Sequence, residues 1–306
     1  MSNSSSHRFI LVNVVPPVFD QRSGLYDLEE LKSLVETYGG ATIVRIIQRK
    51  RHPDPATYVG RGKAEEIVQI IQDERIDTVV LNAVVPSGQL FELEKMFWKV
   101  NPTIRVWDRV DLILHIFDKH AQSAEAKLQI NLARMRHMGP RMYGLGGNLL
   151  SRQGGGIGTR GLGETNVELM KRHWRDQMKK IEEKLAKVEQ DRERKLIRRK
   201  DNGFTSVSIV GYTNAGKTTL FNGLTGKHKL AENVLFATLD SHIGKLIHMN
   251  PYPEILVSDT IGFIQNLPPS LINAFRSTLM ESIHADLLLH VIDASDPLMH
   301  EKIGVV

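Results

Sequence analysis

The stretch GYTNAGKT at residues 211–218 constrains the fold more than any other part of the chain. It matches the pattern G-x-x-x-x-G-K-[ST], follows an apolar, strand-like segment (TSVSIVG) and opens a segment with helical spacing (KTTLFNGLTG). Glycines let such a loop place backbone N–H groups around phosphate oxygens, and the N-terminus of the next helix adds partial positive charge. The sequence therefore predicts an α/β domain with a phosphate-binding loop.

Two side chains of this loop have expected roles in binding a nucleoside triphosphate. Lys217 is predicted to reach the β- and γ-phosphates, and the Thr218 hydroxyl is predicted to ligate Mg²⁺. We favour this interpretation over a chance match because the pattern lies in the strand–loop–helix context that it requires.

Two further motifs follow at distances typical of a nucleotide switch. Asp259 of DTIG ends an apolar strand and suits a direct or water-mediated Mg²⁺ ligand, and the Gly262 N–H can contact the γ-phosphate. Thr238 of LFATLD is a candidate to close over Mg²⁺ and the γ-phosphate. In P-loop enzymes such contacts order two switch loops, which hydrolysis then releases. Together the three motifs predict a nucleotide switch.

Phe263 occupies the position after Gly262, where many GTPases have a glutamine that orients the attacking water. A phenylalanine side chain cannot form that hydrogen bond. Catalysis in P-loop enzymes rests mostly on positioning and electrostatic stabilisation, so we expect hydrolysis that is slow rather than absent. The water would then be positioned by a partner or by another switch residue. Simple packing of Phe263 in the core is the alternative, and both can hold in turn.

Residues 1–115 alternate β-rich runs with helical patterns, which predicts an N-terminal domain with a parallel sheet covered by helices. The segment YVGRGKAEE at 58–66 is interpreted as a strand-to-helix turn rather than a phosphate site. Residues 204–306 are predicted to form the P-loop domain. No run of about 18 uncharged apolar residues occurs, so the sequence predicts no membrane span.

Residues 116–203 differ from both flanking segments. Apolar residues recur with a/d spacing at Trp174, Met178, Ile181, Leu185 and Val188, which predicts an antiparallel helical hairpin with coiled-coil character. Between residues 171 and 200 there are thirteen Lys or Arg against six Asp or Glu. This charge fits a solvated helix face and an RNA-facing surface equally well.

A glycine-rich loop is predicted at 139–163, between the two helices of the hairpin. It contains ten of the chain's 24 glycines and three arginines, with no acidic residue. A flexible linker is one interpretation. We favour a binding loop that becomes ordered on RNA, because unopposed arginines suit phosphate and glycines allow close backbone approach.

Composition narrows the function classes. The chain has no cysteine, which excludes disulfides, thiolate metal sites and thiol catalysis and fits a reducing compartment. The formal net charge is +5. We expect a cytoplasmic protein that is monomeric when free, with association to ribosomes or to a membrane surface left open.

The chain resembles an HflX-type GTPase, a translation-factor-related P-loop GTPase with a hydrophobic residue in place of the catalytic glutamine. The motifs that carry the resemblance are YVGRGKAEE, SRQGGGIGTRGLGET, GYTNAGKTTLFN, LFATLD and DTIGFI. It implies an enzyme that hydrolyses GTP to GDP, binds the large (50S) ribosomal subunit and its rRNA, and splits or rescues stalled or idle ribosomes under stress.

The same resemblance implies the site residues. Catalytic roles fall on Lys217, Thr238 and Gly262, and the Mg²⁺ ligands fall on Thr218 and Thr238. The implied nucleotide contacts are Gly211, Tyr212, Thr213, Asn214, Ala215, Gly216, Lys217, Thr218, Phe236, Ala237, Thr238, Leu239, Asp240, Asp259, Thr260, Ile261 and Gly262.

One motif of this class is missing from the sequence. No Asn-Lys-x-Asp occurs after Asp259, although its Asp is the residue that reads the guanine ring. We therefore expect a C-terminally truncated, incomplete GTPase domain, with guanine preference implied by the resemblance alone. Two alternatives stay open: an RNA- or ribosome-binding module whose GTPase domain is inert, and a P-loop ATPase that acts on RNA.

Overall fold

The computed structural model describes residues 7–17, 21–153, 160–228, 235–236, 242–247, 254–265, 267, 271 and 276–306, with side chains throughout except at 21–26 and 140–167. The chain divides into two compact units. The first comprises Met1–Ile116 with Arg134–Gln177, and the second comprises Phe117–Ala133 with Met178–Val306. The division into three domains, at 1–115, 116–203 and 204–306, stays a prediction.

The first unit contains a four-stranded sheet in the order β2-β1-β3-β4, and every neighbouring pair is parallel. The prediction of an N-terminal parallel-sheet α/β fold is confirmed. Its strands are β1 (His7–Val15), β2 (Gly40–Arg49), β3 (Thr78–Leu81) and β4 (Arg105–Asp108). The helices between and after them are α1 (Gln21–Tyr38), α2 (Arg61–Glu74), α3 (Ser87–Phe97) and α4 (Arg109–His120).

The core of the first unit follows from the alternation of side chains along the strands. Ile10 and Val12 of β1 lie on the same face as Val79 and Leu81 of β3, and all four are buried. Helices α2 and α3 cover this face with the buried residues Ala64, Ile67, Ile71, Leu90, Leu93 and Phe97. The segment at 58–66 forms a turn and the start of α2, as interpreted from the sequence.

A buried polar cluster lies where β4 passes into α4. Asp108 Oδ1 accepts the Asp111 N–H at 2.8 Å, and Asp111 Oδ2 accepts the Asp108 N–H at 3.2 Å. His137 Nε2 lies 3.1 Å from Asp108 Oδ1 and 3.5 Å from Asp111 Oδ1. The two carboxylates form a reciprocal cap on the first turn of α4. We therefore interpret this group of potential metal donors as a helix cap.

The hairpin helices are longer than predicted. Helix α5 (Ala124–Gln153) and helix α6 (Arg160–Asp201) include most of the segment that the sequence predicts as a loop at 139–163. That prediction is wrong for 139–153 and 160–163. Glycine costs a helix only about 1 kcal/mol relative to alanine, and here it is interspersed with Leu, Met and Arg, which favour helix.

The predicted apolar seam of α6 is confirmed by its burial. Its five residues are buried or half-buried, whereas most of the charged residues around them are exposed. In the first unit, Trp174 Nε1 donates to Met135 O at 3.0 Å. In the second unit, Arg192 pairs with Glu125 at 2.9 Å. Within each unit, α5 and α6 are therefore in contact with one another. Across the described residues, no helix is long and apolar enough to cross a membrane.

The second unit contains a sheet in the order β6-β7-β5-β8. Strand β5 is parallel to both β7 and β8, and β6 is antiparallel to β7. The strands are β5 (Thr205–Gly211), β6 (His242–Lys245), β7 (Ile255–Asp259) and β8 (Leu287–Val291). The helices are α7 (Lys217–Thr225), α8 (Arg276–Ile283) and α9 (Met299–Val305). Ile209, Phe221 and Val257 form its buried core, and β8 is an edge strand whose Leu287 is 58% exposed.

Candidate nucleotide-binding site

The backbone between β5 and α7 has the shape that the loop motif requires. At Gly211 an added Cβ would lie 2.4 Å from the carbonyl oxygen of Val291, so only glycine fits against the neighbouring strand. Asn214 and Gly216 have left-handed backbone angles, with φ of 64° and 89°. Gly216 directly precedes α7 and offers no side chain to cap it. The first N–H groups of α7 are therefore suited to an anion.

Lys217 is the first residue of α7 and is 7% exposed. Its Nζ donates to the backbone oxygen of Tyr212 at 2.6 Å. Burial lowers the pKa of Lys217 from 10.5 to about 8, and the nearby carboxylate of Asp259 opposes part of this shift. The loop therefore holds a desolvated ammonium group against a neutral carbonyl, an arrangement that a phosphate oxygen could improve.

Thr218 and Asp259 lie together, as the Mg²⁺ prediction requires. The Thr218 hydroxyl donates to Asp259 Oδ2 at 2.9 Å, and Asp259 is fully buried at the end of β7. Hydroxyl and carboxylate oxygens are the ligands that Mg²⁺ prefers. Thr213 Oγ1, in the loop beside them, is a buried oxygen without a hydrogen-bond partner in the described part of the chain. The residues present fit Mg²⁺ with a phosphorylated ligand.

Gly262 lies directly against the loop. A Cβ at this position would be 2.8 Å from Thr213 Cα and 2.9 Å from Lys217 Nζ. Any side chain here would displace the lysine, so the fourth residue of DTIG has to be glycine. The structure thus brings Gly262 to Lys217, next to where the γ-phosphate is predicted.

The segment after Gly262 is hydrogen-bonded to the loop by its backbone. The Phe263 N–H donates to Gly211 O at 3.1 Å, and the Thr213 N–H donates to Phe263 O at 2.7 Å. These bonds form a parallel bridge between Tyr212 and Phe263. The Phe263 side chain is half-buried, so it is not a residue of the closed core.

The other predicted contacts divide into two groups. The Thr260 hydroxyl donates to Ile209 O at 2.6 Å, and Ile261 is 7% exposed, so both side chains are used within the fold. Phe236 is buried, and its ring centroid lies 4.6 Å from that of Phe117. Ala237, Thr238, Leu239 and Asp240 lie outside the described residues. The catalytic and metal-binding roles of Thr238 therefore stay predictions.

The structure adds a contact that the motif pattern does not predict. The Tyr212 hydroxyl accepts the Gln265 N–H at 2.7 Å, and Lys302 Nζ lies 4.8 Å from the centroid of the Tyr212 ring. The only signal in the sequence is an aromatic residue at the second position of the loop, and that position is unrestricted in the pattern.

A mostly parallel sheet with this loop, its lysine and threonine, and a DTIG turn against them defines a P-loop nucleoside triphosphatase. Three family models match the chain in succession. They are described as GTP-binding GTPase N-terminal, GTP-binding GTPase Middle Region and 50S ribosome-binding GTPase, over residues 26–118, 120–199 and 206–304.

Curated relatives identify the family. The chain is 45% identical over 299 residues to GTPase HflX of Caldanaerobacter subterraneus subsp. tengcongensis, covering 98% of this chain and 67% of that protein. It is 40% identical over 288 residues to GTPase HflX of Escherichia coli (strain K12), covering 94% and 66%. The chain therefore belongs to the GTPase HflX family, which confirms the resemblance found in the sequence. It spans about two thirds of the length of these relatives.

Solved structures agree with this assignment. The crystal structure of SsGBP in complex with GDP has a TM-score of 0.54 and 27% identity, covering 97% of this chain and 76% of that chain. A GTP-binding protein from the hyperthermophilic archaeon Sulfolobus solfataricus, also in complex with GDP, has a TM-score of 0.50 and 25% identity, with coverage of 96% and 75%. The similarity extends over almost all of this chain.

Proposed function

We propose that this chain binds GTP at the loop 211–218 and hydrolyses it in contact with the large ribosomal subunit, and that this cycle splits or rescues stalled or idle ribosomes. The observation that carries the proposal is the convergence of Lys217, Thr218, Asp259 and Gly262 on one end of the sheet. Each of these residues has the role that phosphoryl transfer needs at that place.

Lys217 contributes positive charge that is already desolvated. On nucleotide binding, its Nζ exchanges Tyr212 O for phosphate oxygens, and these stabilise the protonated form more strongly than a neutral carbonyl does. Gly262 lies directly against Lys217, and its N–H is the expected contact of the γ-phosphate. Thr218 and Asp259, with Thr238 as predicted, would hold Mg²⁺, which supplies charge neutralisation at the β- and γ-phosphates.

Two features favour the ribosome as the partner. The family model that matches residues 206–304 is described as a 50S ribosome-binding GTPase. The α6 segment from 171 to 200 carries thirteen Lys or Arg against six Asp or Glu, a charge balance suited to rRNA phosphates. Phe263 provides no hydrogen bond to a water, so acceleration by the partner fits this site. We also propose that the chain is cytoplasmic and monomeric when free.

The test is phosphate release from GTP by the purified chain, alone and with isolated large or small ribosomal subunits. We expect slow release that large subunits accelerate, and loss of both rates in Lys217→Ala. Lys32→Ala, which changes a half-exposed lysine on α1 in the first unit, is the control. A rate that large subunits leave unchanged contradicts ribosome-dependent hydrolysis.

Two further measurements separate the alternative functions. Subunit binding without any nucleotide uptake would identify an RNA-binding module with an inert GTPase domain. Competition by ATP as strong as that by GTP would identify a P-loop ATPase. The resemblance predicts GTP in preference to ATP.

A further inference from the structure

Tyr212 is a residue of the nucleotide loop that is 7% exposed and makes three contacts, one through its backbone oxygen, one through its hydroxyl and one through its ring. Its backbone oxygen accepts the Lys217 ammonium at 2.6 Å. Its hydroxyl accepts the Gln265 N–H at 2.7 Å. Its ring faces Lys302, which is also paired with Asp296. The residue therefore contacts both the phosphate-binding lysine and the segment that follows DTIG.

The hydroxyl contact completes a short stretch of pairing between loop and switch. Backbone hydrogen bonds at 3.1 Å and 2.7 Å join Phe263 to Gly211 and Thr213. The Gln265 N–H is two residues beyond Phe263, where the bridge has ended, and the Tyr212 side chain provides the acceptor in place of a backbone carbonyl. Residues 263 to 265 are thus held against the loop by the backbone of Gly211 and Thr213, which flank Tyr212, and by the Tyr212 hydroxyl.

This arrangement connects ligand binding to the switch segment. When a phosphate takes the Lys217 ammonium from Tyr212 O, the residue that loses this hydrogen bond is the one whose hydroxyl holds the Gln265 N–H and whose two neighbours in the chain hold Phe263. Gly262 lies between Asp259 and Phe263, and its N–H is the predicted γ-phosphate contact. A shift at 263–265 would therefore move that N–H relative to the phosphate.

We infer that Tyr212 is a positioning residue for hydrolysis: through its hydroxyl it holds the backbone of 263–265, and with it the Gly262 N–H, in the register that GTP hydrolysis requires. It acts through these backbone groups. This inference rests on the proposed GTPase function and adds a residue that links the loop to the switch.

Tyr212→Phe tests the hydroxyl alone, because phenylalanine keeps the ring next to Lys302. We expect affinity for a fluorescent GDP analogue to stay within about twofold of the unmodified chain, since the backbone of the loop is unchanged. The single-turnover rate of GTP hydrolysis should fall about tenfold, in keeping with the loss of one hydrogen bond that the reaction needs. Tyr58→Phe is the matched control, because Tyr58 is equally buried at 7% and lies in the other unit.

Hydrogen exchange provides a readout that a merely structural role would not change. In the unmodified chain, a non-hydrolysable GTP analogue should increase protection of the peptide covering 261–265. In Tyr212→Phe this protection should be lost, while protection of the loop 211–218 is retained. Equal loss of GDP affinity, hydrolysis and thermal stability in Tyr212→Phe would instead show a structural role and overturn the inference.

A second variant removes the donor of the hydrogen bond between the Gln265 N–H and the Tyr212 hydroxyl. Gln265→Pro removes the N–H and should reproduce the effect of Tyr212→Phe, whereas Gln265→Ala keeps it and should not. Combining Gln265→Pro with Tyr212→Phe should slow hydrolysis no further than either change alone. The inference would be overturned if the two changes reduced the hydrolysis rate additively, or if Tyr212→Phe hydrolysed GTP at the rate of the unmodified chain. If the unmodified chain itself neither binds nor hydrolyses GTP, the proposed function fails first.

Discussion

Each of the two units buries charged side chains where a parallel strand ends, but it surrounds them differently. At the end of β4, Asp108 accepts backbone N–H groups of Val85 and Asp111 and contacts His137. At the end of β7, Asp259 is equally buried and accepts the Thr218 hydroxyl. Backbone donors are fixed by the fold, whereas a hydroxyl can turn towards a metal ion. The first arrangement stabilises a structure, and the second is suited to binding a ligand.

The buried cations of the two units differ in the same way. Arg109 is 3% exposed and donates to Glu30 Oε1 at 2.5 Å and Asn82 Oδ1 at 2.8 Å. Lys217 is 7% exposed and donates to a neutral carbonyl. The Arg109 guanidinium lies between two fixed acceptors, whereas burial lowers the pKa of Lys217, whose ammonium gains from an added anion. Burial of a charged side chain alone therefore does not identify a binding site. A binding site is indicated when a ligand can replace the hydrogen-bond partner of the buried group.

The largest effect is expected from Arg109→Ala in the first unit. Removing the guanidinium leaves the partly buried Glu30, whose side chain is 15% exposed, without this charged partner, which should cost about 3 kcal/mol of unfolding free energy. All three tryptophans, at 98, 107 and 174, belong to the first unit, so their fluorescence in urea reports on it. Arg61→Ala, which removes an 89% exposed partner of Glu65, should cost less than about 0.5 kcal/mol. Equal costs for the two variants would contradict the distinction.

Gly262→Ala should have the next largest effect, and on function rather than stability. The added methyl would lie 2.9 Å from Lys217 Nζ, so the lysine and the Gly262 N–H cannot both keep their places. We expect GTP hydrolysis to fall on the order of a hundredfold, as when one electrostatic contact to a transition state is lost. Gly62→Ala is the control, because an added Cβ there meets nothing within 4 Å. Phosphate release measures both; a Gly262→Ala rate near that of the unmodified chain would contradict the placement.

A smaller effect is expected from pH on nucleotide affinity. Lys217 has a pKa of about 8 in the free chain, and bound phosphates should raise it, so binding takes up a proton above pH 8. The association constant for GDP should therefore be level below about pH 7 and fall towards tenfold per pH unit above pH 8. Isothermal titration calorimetry in buffers of different ionisation enthalpy measures this proton uptake. An affinity that stays level to pH 9.5 would contradict the lowered pKa.

The lowered pKa of Lys217 also affects stability: as pH rises, its contribution to the unfolding free energy increases while nucleotide affinity decreases. Between pH 8 and 10.5 the unfolded chain binds more protons at Lys217 than the folded chain does. The unfolding free energy of the second unit should therefore rise with pH through this window as far as Lys217 contributes. Nucleotide affinity and this contribution to stability thus change in opposite directions over the same pH range.

The features that the sequence predicted correctly depend on local pattern. Alternating strand and helix signals indicate a parallel sheet, and the loop at 211–218 needs only its own eight residues and their flanks. The contact between Tyr212 and Gln265 depends on tertiary placement 53 residues apart, and the approach of His137 to Asp108 depends on 29. Rules based on the spacing of residues within a helix, a strand or a loop motif do not predict contacts between residues so far apart in the sequence.

The error at 139–163 has a different cause. A high glycine content predicts a loop, but glycine disfavours a helix only modestly, and helix α5 continues through these glycines to Gln153. In the first unit, α4 is capped by Asp108, and an aspartate in a sequence fits a catalytic role as well as a structural one. Residue type therefore identifies candidate functional residues, and the hydrogen-bond partners that the fold provides distinguish a functional role from a structural one.

The smallest effect is expected from Asp108→Asn. Asparagine can still accept the Asp111 N–H and cap α4, but its amide nitrogen replaces the oxygen that accepts the Val85 N–H, and the negative charge that faces His137 is lost. We expect a loss of about 1–2 kcal/mol in the unfolding free energy followed by tryptophan fluorescence, and GTP hydrolysis within about twofold of the unmodified chain.

Asp108→Ala supplies the matched variant for this site, because it removes the cap as well as the charge. It should cost clearly more than Asp108→Asn, since it leaves the buried Asp111 N–H without its acceptor. If the two variants cost the same, the stabilising features would be those that both lose, the charge facing His137 and the hydrogen bond from the Val85 N–H. The cluster at 108, 111 and 137 would then resemble the Lys217 site more closely than the two sets of hydrogen bonds indicate.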